Sequence, residues 1–101
     1  MATQTRRYRA STRAIQDALD AAFDKIGARG VRWASGNRRV SASMGMTFFI
    51  SYGEDMVAEI FEDGEVEVRS TSSFPLQWDI WGKNSGNCRK FLDAVSYELD
   101  E

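Results

Sequence analysis

A chain of 101 residues has room for one domain around one hydrophobic core, and an apolar share of 43% against 28% charged residues is that of a chain that folds. It holds no histidine and a single cysteine, Cys88, which excludes a Ser-His-Asp or Cys-His nucleophile, an imidazole base, a His-ligated metal, an internal disulfide and a cysteine-cluster zinc site. The net charge of −2 conceals an asymmetry, because residues 1–40 carry nine Lys/Arg against three Asp/Glu and residues 41–101 carry four against twelve. Such a bias marks either a nucleic-acid or membrane surface or, in a compact domain, basic strands lying beside acidic ones.

In chain order, "TQTRRYRAS" places Arg6, Tyr8 and Ala10 on one side and Thr5, Arg7 and Arg9 on the other, which predicts a first strand with Tyr8 as its buried residue. In "STRAIQDALDAAFDKIG", Ile15, Ala18, Leu19, Ala22, Phe23 and Ile26 recur at helical spacing, with Ser11 placed to cap the start and Gly27 to end the helix. "GVRWAS" and "RRVSASM" read as a hairpin turning at Gly36-Asn37, with Val40, Ala42 and Met44 inward. "GMTFFISYGE" interrupts the alternation and reads as a crossing loop or bent strand. "DMVAEIF" and "EVEVRSTS" form a second hairpin around "EDG", with Val66 and Val68 inward and Glu65, Glu67 and Arg69 outward. The chain closes on a helix whose stripe is Cys88, Phe91, Leu92, Val95 and Leu99, so Cys88 is expected to be an inert packing residue.

The order β-α-β-β-β-β-α, with two short hairpins and two helices needing one apolar sheet face, predicts a single two-layer α+β domain over residues 1–101, a five-stranded antiparallel sheet packed against two helices. The first strand should return to pair with the last, setting Arg7 and Arg9 across from Glu65 and Glu67. No segment nears the roughly 18 apolar residues of a membrane helix, and the N-terminal arginines are followed by no apolar run, so a cytoplasmic location without a membrane span is expected.

The most unusual stretch is "FPLQWDIWGKNSGN", residues 74–87. Phe74, Leu76, Trp78, Ile80 and Trp81 suit a plug over an open end of the core, and Asn84, Ser85 or Asn87 suit helix caps. Alternatively, Lys83 and the free N–H groups of a helix start hold an anion beside Trp78 and Trp81. "GKNS" is not a phosphate-binding loop, since Gln77 stands where that motif needs a glycine. Phe48 and Phe49, adjacent in an extended segment, face opposite ways, so one of them points to a partner or a covering loop. The carboxylates Glu54, Asp55, Glu59, Glu62, Asp63, Glu65 and Glu67 read as a solvated hairpin, with no calcium-loop pattern. A chain of pI 5.2 lacks the broad basic field of a nucleic-acid binder.

The order of elements resembles the TBP-like arrangement, which START-like lipid-binding proteins also share; the likeness implies a fold and no activity. "VEVRSTSSFPLQWDIWGKNSGNCRKFLDAV" is similar to a pattern of small bacterial domains without an agreed activity, in which a strand ending in S-x-S leads through an apolar loop to D-x-G-K-N or D-x-G-x-N and a closing helix. Ser70 and Ser72 match the serines, and Asp79, Gly82, Lys83 and Asn84 the later motif, with one residue more between Asp79 and Gly82 than the pattern has. The expected function is a non-enzymatic binding or protein-interaction module without cofactor or metal, through Phe48, Phe49, Trp78, Trp81, Lys83 and Asn84, as a homodimer or with a protein partner. The alternative is a small START-like carrier of a hydrophobic or anionic ligand. A carrier needs an enclosed pocket of roughly 300 Å³ or more, an interaction module an exposed apolar patch.

Overall fold

A computed structural model describes residues 2–45, 53–72 and 83–101, apart from the side chains of residues 72 and 83–85. The elements are β1 (Ala2–Arg7), α1 (Thr12–Lys25), β2 (Arg29–Trp33), β3 (Arg39–Met44), β4 (Glu54–Ile60), β5 (Glu65–Ser72) and α2 (Lys83–Leu99), in the expected order. The strands form one antiparallel sheet ordered β1-β5-β4-β3-β2, so the domain is α+β and the first strand does pair with the last.

Local chemistry sets the element ends. The Ser11 hydroxyl accepts the Ala14 N–H and caps α1. At its other end Gly27 takes φ 81°, its N–H donates to Asp24 and the Ala28 N–H donates to Phe23, which satisfies two carbonyls that the helix leaves free. Between β2 and β3 the Asn37 N–H donates to the Ala34 carbonyl, with Gly36 and Asn37 both at positive φ. Between β4 and β5 the Gly64 N–H donates to Phe61, and Gly64 itself sits at φ 85°.

The core lies between the sheet and the helices. Val40 and Ala42 of β3, Met56, Ala58 and Ile60 of β4, and Val66 and Val68 of β5 meet Ile15, Leu19 and Phe23 of α1 and Cys88, Phe91, Leu92 and Val95 of α2, all of them buried. The Phe23 and Phe91 rings join the two helices with centroids 4.4 Å apart. Tyr8, on the loop after β1, is buried as expected, and its hydroxyl donates to the Leu92 carbonyl at 3.1 Å and lies 3.0 Å from the Ser96 hydroxyl.

The charge asymmetry becomes pairing within the sheet. Arg7 meets Asp63 at 2.7 Å and Glu65 at 3.8 Å, and Arg39 of β3 meets Glu59 of β4 at 3.0 Å. These are exposed pairs, worth about 0–1 kcal/mol each. The expectation for Arg9 needs correcting: Thr5, not Arg9, stands opposite Glu67. The ladder ends because β5 begins at Glu65 and the Tyr8 N–H already donates to Gly64 at the turn. Arg9 lies beyond that end, where its N–H donates to the Glu101 carboxylate at 2.8 Å.

Candidate functional site

The sheet has two ends of different character. At one, Met44 of β3 pairs with Glu54 of β4, Glu54 pairs with Ser72 of β5, and Ala2 of β1 pairs with Ser70. The registers therefore bring the end of β3, the starts of β4 and β1 and the end of β5 together. The first turns of α2 cover this end, since the Cys88 thiol donates to the carbonyls of Ala2 and Val68 at 3.6 and 3.7 Å.

Among the described residues the buried polar or charged side chains are Glu54, Ser70 and Asn87. All three belong to this end. Glu54 is in phase with Met56, Ala58 and Ile60 on the inner face of β4, and Ser70 is in phase with Val66 and Val68 on β5. Asn87 precedes Cys88 and stands one turn before Phe91, whose ring meets Phe23, so it lies on the side of α2 that faces α1 across the sheet. Glu54 is 0% and Asn87 2% exposed. Both carboxylate oxygens of Glu54 and the amide nitrogen of Asn87 lack a hydrogen-bond partner.

That arrangement is costly. An unpartnered buried amide costs about 1–3 kcal/mol, and an isolated buried carboxylate more, so native cores seldom keep such groups without a use for them. Among the described residues the other buried side-chain nitrogen and oxygen atoms have hydrogen-bond partners. The open cleft at the opposite end of the sheet is lined by Arg7, Tyr8, Arg9, Asp63 and Glu101 among others; there Arg7 pairs with Asp63, and the Glu101 carboxylate accepts the backbone N–H groups of Arg9 and Ala10. The shallow groove on the outer sheet face runs past Arg32, Ser41, Asp55 and Val57 in open solvent. No group of three His, Cys, Asp or Glu that could hold a metal occurs among the described residues.

Of the residues singled out from the sequence, Phe48, Phe49, Trp78 and Trp81 lie outside the described residues, as do the side chains of Lys83 and Asn84. The capping assignment changes, because α2 begins at Lys83 and so contains Asn84, Ser85 and Asn87 within its first two turns. Glu54 also departs from expectation: Asp55, Glu62 and Asp63 of the acidic run are exposed, but Glu54 points inward. The alternation of β4 carries that signal when the strand is begun one residue earlier than "DMVAEIF" suggests, just as Asn87 falls in phase with Phe91 and Val95. Comparison of the chain with protein-family models, with curated proteins and with solved structures finds no match.

Proposed function

We propose that this domain is a non-enzymatic small-ligand binder whose site is the polar end of the core, at the start of β4, the end of β5 and the first turns of α2. The observation that carries the reading is the pair of buried, unpartnered side chains Glu54 and Asn87 at one end of an otherwise apolar core. A ligand that supplies their missing partners offsets a desolvation cost the domain otherwise bears alone. Binding rather than catalysis is inferred from a chain without histidine, in which, among the described residues, no nucleophile stands beside an orienting base. The interaction-module reading rests on Phe48 and Phe49, outside the described residues, and the exposed large apolar side chains within them, Val31, Phe61 and Tyr97, are dispersed over β2, the β4–β5 turn and α2.

Native mass spectrometry of the purified protein tests this. The expected result is a single chain carrying a small molecule that is released on denaturation and lost from a Glu54→Gln, Asn87→Ala double variant. A bare chain in both proteins, or a dimer with no adduct, overturns it.

A further inference from the structure

The geometry points to a second site, on the outer face of the sheet, where Arg29 and Arg32 of the β2 edge hold the phosphoryl group of a small phosphomonoester. β2 carries one extra residue at this point. Arg29 pairs with Ser43 and Arg32 with Ser41, so three steps along β2 answer two along β3. In an uninterrupted strand Arg29 would share a face with Trp33, four residues on, and would turn towards the core that Trp33 packs against. The bulge reverses it. Residues directly opposite one another point to the same side of a sheet, and Ser41 and Ser43 alternate with the buried Val40 and Ala42. Both arginines therefore project from the outer face. Ser41 and Ser43 are two residues apart, so the arginines opposite them stand roughly 7 Å apart along the strand, close enough for two long side chains to meet one anion. Gly30 lies within the bulge at φ 65°, a left-handed conformation that favours glycine.

The neighbouring cations of this face are matched and these two are not. Arg39 pairs with Glu59 and Arg69 with Glu67, whereas Arg29 and Arg32 have no ion pair among the described residues. Beside them Gly30, Arg32, Ser41, Ser43, Asp55 and Val57 line a groove of about 340 Å³, the size of a small-molecule site. A phosphomonoester suits it because three terminal oxygens and a charge near −2 answer two guanidinium forks and the Ser41 hydroxyl, where a carboxylate brings fewer oxygens and half the charge. Asp55 opposes any anion here, although its carboxylate accepts the Ser43 hydroxyl at 3.3 Å. The phosphoryl group therefore belongs on the β2 side of the groove, with the body of the ester towards Val57.

The test is calorimetric titration of the intact protein with glycerol 2-phosphate, acetate and a short single-stranded oligonucleotide, at low salt and about pH 8, where the monoester is largely a dianion. Amide NMR shifts locate whatever binds, and a melting curve of each variant confirms its fold. Glycerol 2-phosphate should bind saturably and move the amides of Gly30, Arg32 and Ser41, with acetate much weaker. Arg29→Gln and Arg32→Gln should each weaken it about threefold to tenfold, the loss of one partly solvated charge-assisted contact, and the double variant should not bind. Arg38→Gln removes the same charge from the turn between β2 and β3 and should change the affinity by less than about twofold. Asp55→Asn should tighten binding, because the opposing carboxylate is gone. An equal loss in Arg38→Gln, an affinity untouched by Arg29→Gln and Arg32→Gln, a preference for acetate, or no saturable binding overturns the site. An oligonucleotide that binds more tightly than the monoester assigns the arginines to a nucleic-acid backbone and overturns the ligand class. Shifts confined to the start of α2 overturn the site as well and return the anion to Lys83.

Discussion

Tyr8 shows how one side chain ties the two layers together and how that tie responds to pH. Its phenol is 3% exposed and reaches the Leu92 carbonyl and Ser96 on α2. Burial pushes its pKa above the ordinary value of 10.0, and the Ser96 hydrogen bond and nearby Arg6 offset only part of that rise. The folded protein therefore holds this proton more tightly than the unfolded chain. The contribution is whole below about pH 10 and is lost as pH rises through the folded-state pKa. Tyr8→Phe should cost about 0.5–1.5 kcal/mol at neutral pH and should flatten the alkaline arm of a stability profile measured by urea melts; an unchanged alkaline arm would assign that loss to other groups. Glu54 makes the opposite case. Replacing it with methionine, close in shape and flanked on the core side by Met56, should raise ligand-free stability by roughly 1–3 kcal/mol, because a desolvated group without a partner disappears. In a domain of this size each 1 kcal/mol moves the melting midpoint by about 4–8 °C. A lower midpoint would mean that Glu54 has a partner within the ligand-free protein.

At the scale of elements, what the sequence made legible followed from period and from turn chemistry. The stripe from Ile15 to Phe23 gives α1 because its apolar spacing, its Ser11 cap and its Gly27 stop agree, and the alternation of Val66 and Val68 gives β5. What stayed hidden were boundaries and single residues in phase. Reading β4 from Asp55 left Glu54 among the acidic solvent-facing residues, and treating Asn87 as a cap removed it from the stripe it shares with Phe91. Polar residues inside an apolar pattern carry no hydropathy signal of their own; only the register of the element places them. The turns offer a sharper test. Gly36 and Gly64 both hold positive φ, at 88° and 85°, but a Cβ on Gly36 meets open space whereas one on Gly64 collides with the Tyr8 carbonyl. Gly36→Ala should thus cost only the left-handed strain, about 1–2 kcal/mol. Gly64→Ala adds a backbone clash that separates β1 from the β4–β5 turn, so its destabilisation in chemical melts should be clearly the larger, on the order of 3 kcal/mol or more. Equal costs would show that β1 yields freely at its C-terminal end.

For the whole molecule, the sheet order decides where stability concentrates and where another chain can attach. β4 and β5 are each flanked by two strands, whereas β1 and β2 are the edges. The edges differ. β1 is backed by α2 through Cys88 and through Arg6, whose guanidinium reaches Asp93 and Ser96. β2 is exposed along most of its length, its register with β3 shifts between Arg29 and Arg32, and Gly30 takes φ 65° within that shift. A bulge with flanking arginines is how a sheet discourages strand addition, so β2 should resist pairing with a second copy. Native-state hydrogen exchange tests both statements in one measurement. Amides of β4 and β5 that bond across the sheet should exchange slowest, near the global unfolding limit, and those of β2 fastest among the strands, by local fraying. The pattern should not depend on protein concentration. If β2 amides instead exchanged as slowly as those of β4, and slowed further as concentration rose, the edge would be covered by a second chain; the irregular register would then be a docking feature, and a homodimer would replace the proposed ligand binder as the reading of the fold's role.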